Sequence, residues 1–150
     1  MIDPQDMFTV TKFLALAGWI ALTVSLFVRT TRKMIWPITQ FVVPAILCLG
    51  YVLMVWQGRE FLHLPDSFTT MKGIHDLYLE DGPLTAGWLH FLALDMFVGT
   101  WIVRDGLERG IPQLLIFLCL PFAFILAPSG LLLYFALRLT VGRRAAEPSR

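Results

Sequence analysis

The sequence predicts an all-α polytopic membrane protein: four transmembrane helices, with a short amphipathic helix between the second and third. Three observations predict it. Of the 150 residues, 57% are hydrophobic and only 15% are charged, against roughly 45–50% apolar in soluble domains. The mean hydropathy is +0.69. The charges are gathered into short stretches between long apolar runs, the pattern expected when lipid is the solvent. Spans of this kind must pack on one another, so residues 1–150 read as a single membrane domain with membrane lipid as its partner.

The first span is expected over about Met7–Val28. At ~1.5 Å per residue such a helix crosses a hydrocarbon core of ~30 Å, and Lys12 can snorkel from its first turns to the interface. The polar string Arg29-Thr30-Thr31-Arg32-Lys33 separates it from a second span over about Ile35–Trp56. Trp36 and Trp56 bracket that span as interfacial aromatics do. Pro37 falls in its first turn, where proline is tolerated, whereas Pro44 lies deeper and should kink or loosen the helix.

Residues Gln57 to Pro83 cannot cross a bilayer, since they carry Glu60, Asp66, Asp76, Glu80 and Asp81 with Arg59 and Lys72. Phe68, Met71, Ile74 and Leu77 nevertheless recur at helical spacing, which predicts an amphipathic helix on the surface of the bundle. A third span is expected over about Leu84–Val103, closed by a polar turn from Arg104 to Gly110. A fourth is expected over about Ile111–Leu139. Twenty-nine residues exceed what a crossing needs, so tilt, a kink near Pro121 or a break at Pro128-Ser129-Gly130 is expected. The tail Gly142–Arg150 is basic and expected to be disordered. Four spans would put Lys12, Arg59, Lys72, Arg138, Arg143, Arg144 and Arg150 on one side against Arg29, Arg32, Lys33, Arg104 and Arg109 on the other. That balance leaves the orientation open, leaning toward termini inside.

Several function classes fall away. A net charge of +1 argues against nucleic acid as a partner. Cys48 and Cys119 both lie inside apolar runs and read as small buried hydrophobes rather than a metal pair or a disulfide framework. The histidines are His63, His75 and His90, and their spacing makes no HxxxH or HxxHH cluster, so no metal site is expected. No GxSxG, Walker A or GxGxxG element appears, and no cofactor is signalled. Internal repeats of the kind many transporters carry are also lacking. No cleavable leader is read at the start, which is acidic at Asp3 and Asp6.

The chemistry-bearing residues sit in the third span. Asp95 lies about midway along it, where an aspartate costs roughly 2.5–3.5 kcal/mol on insertion scales. It therefore reads either as a proton carrier or ligand facing a polar cavity, or as a hydrogen-bonded packing residue. His90 is five residues earlier, so the two project about 140° apart and do not share a stripe. His90 aligns with Phe97, Trp101 and Arg104. Asp95 aligns with Trp88, Gly99 and Ile102, and Gly99 permits close approach of a helix or a flat ligand. Asp105 follows at the end of the span, beside Arg104.

The string from Gly87 to Asp105, GWLHFLALDMFVGTWIVRD, resembles the signature of the neoxanthin-synthase-like family, also called abscisic-acid-deficient-4-like. Its pattern runs W-x-H-[FY]-L-x-x-D-x-F-x-G-x-W with an aspartate shortly after. Here those positions are Trp88, His90, Asp95, Phe97, Gly99, Trp101 and Asp105. Pro121 and the run Ala127-Pro128-Ser129-Gly130-Leu131-Leu132-Leu133-Tyr134 also resemble that family's last span.

The resemblance implies a four-helix membrane protein of xanthophyll metabolism, in which neoxanthin is made from violaxanthin. That conversion is an isomerisation: an epoxide opens while the polyene loses a proton, giving an allene and a tertiary alcohol. On this basis His90, Asp95 and Asp105 are candidate catalytic residues, with Asp95 as the acid and His90 as the base. The two would sit on facing surfaces of adjoining helices or protomers. Trp88, Phe97, Gly99, Trp101 and Tyr134 are candidate substrate contacts.

Unlike the plant proteins, which carry a plastid transit sequence, this chain starts almost at its first span. A bacterial inner or photosynthetic membrane is therefore expected, or a plastid membrane after processing, and the substrate extends to other carotenoids or related terpenoids. Four helices enclose little volume, so a lipid-facing groove or a site in a homo-oligomer suits a long polyene better than a closed pocket. The alternative is a non-catalytic carotenoid- or lipid-binding subunit of a larger membrane complex, such as a photosynthetic one.

Overall fold

A computed structural model describes residues 2–62 and 66–141, and these residues form helices joined by short turns. The expected tail 142–150 and His63 lie outside the described residues.

Helix α1 spans Pro4–Phe27. Asp3 caps it, its Oδ1 accepting the Gln5 N–H at 2.8 Å, and Pro4 occupies the first helical position, where no donor is lost. At the other end Arg32 folds back onto the last turn. Its Nε donates to the Ser25 carbonyl at 3.0 Å and its Nη2 to the Leu26 carbonyl at 2.8 Å, satisfying acceptors that the helix end leaves free.

The second apolar run is one continuous helical rod from Arg29 to Gln57, built of α2 (Arg32–Pro37), a π-helical turn (Ile38–Val42) and α3 (Val43–Gln57). It starts earlier than expected, so Pro37 lies inside the helix rather than in its first turn. The π turn ends at Val42, two residues before Pro44. The missing N–H and the ring of Pro44 are incompatible with a regular preceding turn, and the wider turn before it is the form the expected loosening takes.

The expected amphipathic helix is two short helices, α4 (Asp66–Thr69) and α5 (Met71–Leu77). Thr70 breaks it: its backbone is extended and its Oγ1 accepts the Gly73 N–H at 3.0 Å as an N-cap.

Helix α6 runs Asp81–Glu108, longer at both ends than the expected third span. It closes in a Schellman motif. The Ile111 N–H bonds the Gly106 carbonyl at 2.9 Å and the Gly110 N–H bonds the Leu107 carbonyl at 3.1 Å, with Gly110 at φ 67°.

The expected fourth span is not one helix. It is α7 (Gln113–Ile125) and α8 (Ala127–Thr140), broken at Leu126, where φ is −143° and ψ is 75°. Pro121 stays within α7, and Pro128 opens the first turn of α8. At ~1.5 Å per residue each is about 20 Å long, short of a ~30 Å core. Three helices among the described residues are long and apolar enough to cross a membrane: Pro4–Phe27, Arg29–Gln57 and Asp81–Glu108.

Contacts set the direction of each helix. At one end the Ile2 N–H reaches the Gln57 side chain at 2.9 Å, Thr85 Oγ1 donates to the Pro4 carbonyl at 3.5 Å, and Phe8 lies 5.2 Å from Trp88. At the other end Arg104 bonds Gln40 and stacks over Trp36. Helices α1 and α6 therefore run parallel, with α2–α3 antiparallel to both.

Helix α7 starts beside the C-terminal end of α6, with Ile116 against Gly106, and descends until Phe124 meets Trp19 at 5.5 Å. Trp19 itself lies against Gly99, well inside α6. Helix α8 then doubles back, returning Tyr134 to Asp105 and Arg138 to Trp101. The pair is a hairpin confined to one half of the bundle.

The core is apolar, with Leu22, Leu26, Leu47, Met54, Leu89, Met96 and Ile102 fully enclosed. The exterior is apolar too: Phe13, Phe41, Leu49, Phe91 and Leu114 are each at least 60% exposed. So many exposed large apolar side chains are consistent with lipid around the helices. Cys119 is buried as expected, whereas Cys48 faces outward among these residues.

Candidate functional site

Helix α6 carries the chemistry and distributes it over separate faces. His90 is on the face toward α3 and α5. Its imidazole lies 5.9 Å from the ring of Tyr51 and borders a cavity of about 340 Å³. Val55, Leu77, Pro83 and Ala86 supply apolar wall, and Tyr78 from the segment after α5 forms another side. Gly87 makes that possible. A Cβ there would sit 2.7 Å from the Tyr78 ring, so glycine alone lets the phenol lie on α6. An apolar cavity with an imidazole and two phenols at its edge is the usual form of a small-molecule site.

Asp95 is on another side of α6, on the stripe that faces α1. It is half-buried, and no hydrogen bond or ion pair to it is found among the described residues. The same stripe presents Trp88 to Phe8 and Gly99 to Trp19. The separation of His90 from Asp95 follows the 140° between them, so one chain does not bring this acid and this base to a common atom. Phe97 is partly exposed on the outer surface.

Asp105 belongs to a third group. Its Oδ2 accepts from the Tyr134 hydroxyl and from Arg109 Nε at 2.7 Å, and Arg138 Nε lies 3.3 Å away. Tyr134 is fully buried and meets Trp101 edge-on at 5.3 Å, while Arg138 covers the other ring contact of Trp101 at 5.8 Å. Three of the residues singled out in the sequence, Trp101, Asp105 and Tyr134, thus meet at the base of the hairpin. Two cations and a phenol converge on one carboxylate oxygen, the kind of charge-assisted contact that fixes geometry.

A fourth feature is an apolar groove of about 360 Å³ between α1 and α7, walled by Trp19, Phe117, Pro121 and Phe124. No group of His, Cys, Asp and Glu able to hold a metal ion occurs among the described residues.

Residues 6–134 match the family model described as ABA DEFICIENT 4-like. The chain belongs to that family. The match covers α1 through Tyr134 and so includes every face of α6 described above. No curated protein and no solved structure matches the chain significantly.

Sequence reasoning singled out α6 and Tyr134 but missed the other partners, Tyr51, Tyr78 and Trp19. The chain has three tyrosines, and all three stand beside residues of the motif: Tyr51 at His90, Tyr78 at Gly87 and Tyr134 at Asp105. A phenol in an otherwise apolar chain needs a hydrogen-bond partner, and that scarcity was a usable signal. Trp19 carried none, because its contact with Gly99 depends on the relative height of two helices.

Proposed function

We propose that this chain is an integral membrane protein of xanthophyll metabolism that isomerises a carotenoid epoxide by proton transfer. The observation that carries the reading is the cavity bordered by His90, Tyr51 and Tyr78 within a member of the ABA DEFICIENT 4-like family. Its apolar walls suit the end ring of a carotenoid, and its polar edge suits the epoxide oxygen and the adjacent hydrogen-bearing carbon.

In this reading a phenol gives its proton to the epoxide oxygen as the C–O bond breaks. The His90 imidazole takes the proton lost from carbon, and the electron pair of that C–H bond forms the new double bond of the allene. Return of the proton from imidazolium to phenolate restores the site, so atoms and charge balance with no oxidant or reductant. Asp105 acts as an anchor of the hairpin rather than as a proton carrier. Asp95, on another side of α6, is outside the reacting group unless a second protomer presents it.

The test is expression in a host that accumulates an epoxide xanthophyll, with pigments separated by chromatography. The expected result is a new allenic pigment with the native chain and none with His90→Ala. The groove walled by Trp19, Phe117 and Phe124 favours a second reading, a pigment-holding subunit, since it fits an apolar rod with no chemistry. That reading requires unaltered pigment to remain with the purified protein and the pigment profile to stay unchanged.

A further inference from the structure

The return of α8 changes how charge is divided across the membrane. Had the last apolar run crossed completely, the basic residues would be nearly balanced. Because α8 doubles back, Arg138 joins Arg29, Arg32, Lys33, Arg104 and Arg109 at one end of the bundle. Their company there is acidic only at Asp105 and Glu108. Val141, the last described residue, is at this end, and the sequence after it carries Arg143, Arg144 and Arg150 with one acid, Glu147.

The other end is the reverse. It holds Asp3 and Asp6 at the start of α1, Glu60 and Asp66 before α5, and Asp76, Glu80 and Asp81 before α6. Only Lys12, Arg59 and Lys72 oppose them. All three are already engaged locally: Lys12 over Phe8 and Phe13, Arg59 over Trp56, and Lys72 with Asp76.

A second observation agrees. The hairpin tip, Ile125 at 72% and Leu126 at 63% exposure, is apolar and ends level with the middle of α6. The Leu126 carbonyl at the break is met internally. The Ser129 and Gly130 N–H groups and the Ser129 hydroxyl all turn to the Leu126 carbonyl, at 2.8, 3.3 and 2.7 Å. The apolar side chains of the tip suit hydrocarbon, and the departure from helical backbone is confined to Leu126.

We propose that the chain crosses the membrane three times. Helices α7 and α8 enter and leave the same leaflet as a re-entrant hairpin, and the arginine-rich end is seated on an anionic, cytoplasmic-side lipid surface. The N-terminus and the His90 cavity then lie at the opposite face. Basic residues near span ends are retained on the cytoplasmic side, and anionic headgroups there attract them. Arg29 and Lys33 are both exposed at that end, so they are placed to meet phosphate. The inference is independent of the reaction proposed above.

Two measurements test it. In a Cys48→Ser, Cys119→Ala background, Asp3→Cys, Lys72→Cys, Lys33→Cys and Val141→Cys are made one at a time. Each is exposed to a membrane-impermeant thiol reagent in bacterial spheroplasts. Asp3→Cys and Lys72→Cys are expected to label in intact spheroplasts, and Lys33→Cys and Val141→Cys only after lysis. Labelling of Val141→Cys together with Asp3→Cys would mean a complete fourth crossing and overturn the hairpin topology. The reverse pattern at all four positions overturns the orientation.

The second measurement uses the unaltered chain in detergent. Its thermal midpoint is expected to rise on adding phosphatidylglycerol and not phosphatidylcholine, with the rise reduced by at least half in Arg29→Gln/Lys33→Gln. Equal midpoints with the two lipids overturn the headgroup contact.

Discussion

Gly130 lies directly on the backbone of Ala123, so close that a Cβ on the glycine would fall 2.3 Å from the alanine nitrogen and 2.5 Å from its Cα. Both atoms are main chain, which cannot swing aside as a side-chain tip can. This contact is what allows α8 to start back along α7 after a single intervening residue. Gly130→Ala must therefore push the two helices apart, at a cost of about 1–3 kcal/mol, typical of overpacking. Gly130→Val should cost more. Thermal unfolding in detergent reads the effect, and a midpoint unchanged by Gly130→Val would show that the hairpin is not closed at this point.

The base of the hairpin is fixed by polar contacts instead. Tyr134→Phe removes one hydrogen bond to the Asp105 carboxylate, a charged acceptor, and should cost about 1.5–3 kcal/mol. Asp105→Asn weakens the links to Tyr134, Arg109 and Arg138 together. Because the two substitutions break a shared contact, the double variant should lose less than the sum of the single losses. Strict additivity in a double-mutant cycle would mean that the phenol and carboxylate are not coupled.

Trp19 connects the face of α6 that carries Asp95 to the hairpin. The end of its indole lies 2.4 Å from where a Gly99 Cβ would be, and its ring meets Phe124 edge-on. Gly99→Ala should displace the indole toward α7 and disturb the groove between α1 and α7. With the other tryptophans replaced by phenylalanine, Trp19 emission should shift in Gly99→Ala. An unshifted spectrum in a folded protein would show that the indole does not occupy this position.

Much of this was legible in the chain. The first three apolar runs gave three helices long and apolar enough to cross a membrane, because hydropathy over about 20 residues reports solvent directly. The fourth run left its course open for a physical reason. A straight helix and a hairpin of the same residues expose the same apolar side chains to lipid, so composition does not separate them. Pro128-Ser129-Gly130 marked the neighbourhood of the break, which falls at Leu126, but it takes contacts such as Gly130 with Ala123 and Tyr134 with Asp105 to show that the chain reverses rather than kinks. Within the site, the 140° between His90 and Asp95 was readable from helical geometry alone. Which helix each would face was not, because that depends on contacts such as Phe8 with Trp88 that are 80 residues apart in sequence.

The cavity beside His90 yields the sharpest test of the proposed chemistry. General acid and base groups each contribute typically 10²–10⁴-fold. His90→Ala should therefore lower product formation by at least 100-fold, and His90→Gln, which retains a hydrogen-bonding side chain but is no base at neutral pH, should not restore it. Tyr51→Phe and Tyr78→Phe remove single hydroxyls and leave ring packing in place, so whichever phenol supplies the proton should show a comparable loss at unchanged protein level. Gly87→Val is the complementary change. It forces the Tyr78 ring off α6, where a Cβ already comes within 2.7 Å, and should abolish turnover while the chain still inserts. Pigment chromatography from membranes of equal protein content measures all five variants. Full activity in both His90→Ala and the Tyr51→Phe/Tyr78→Phe double variant would remove this cavity from the reaction and leave the Asp95 face as the place to look.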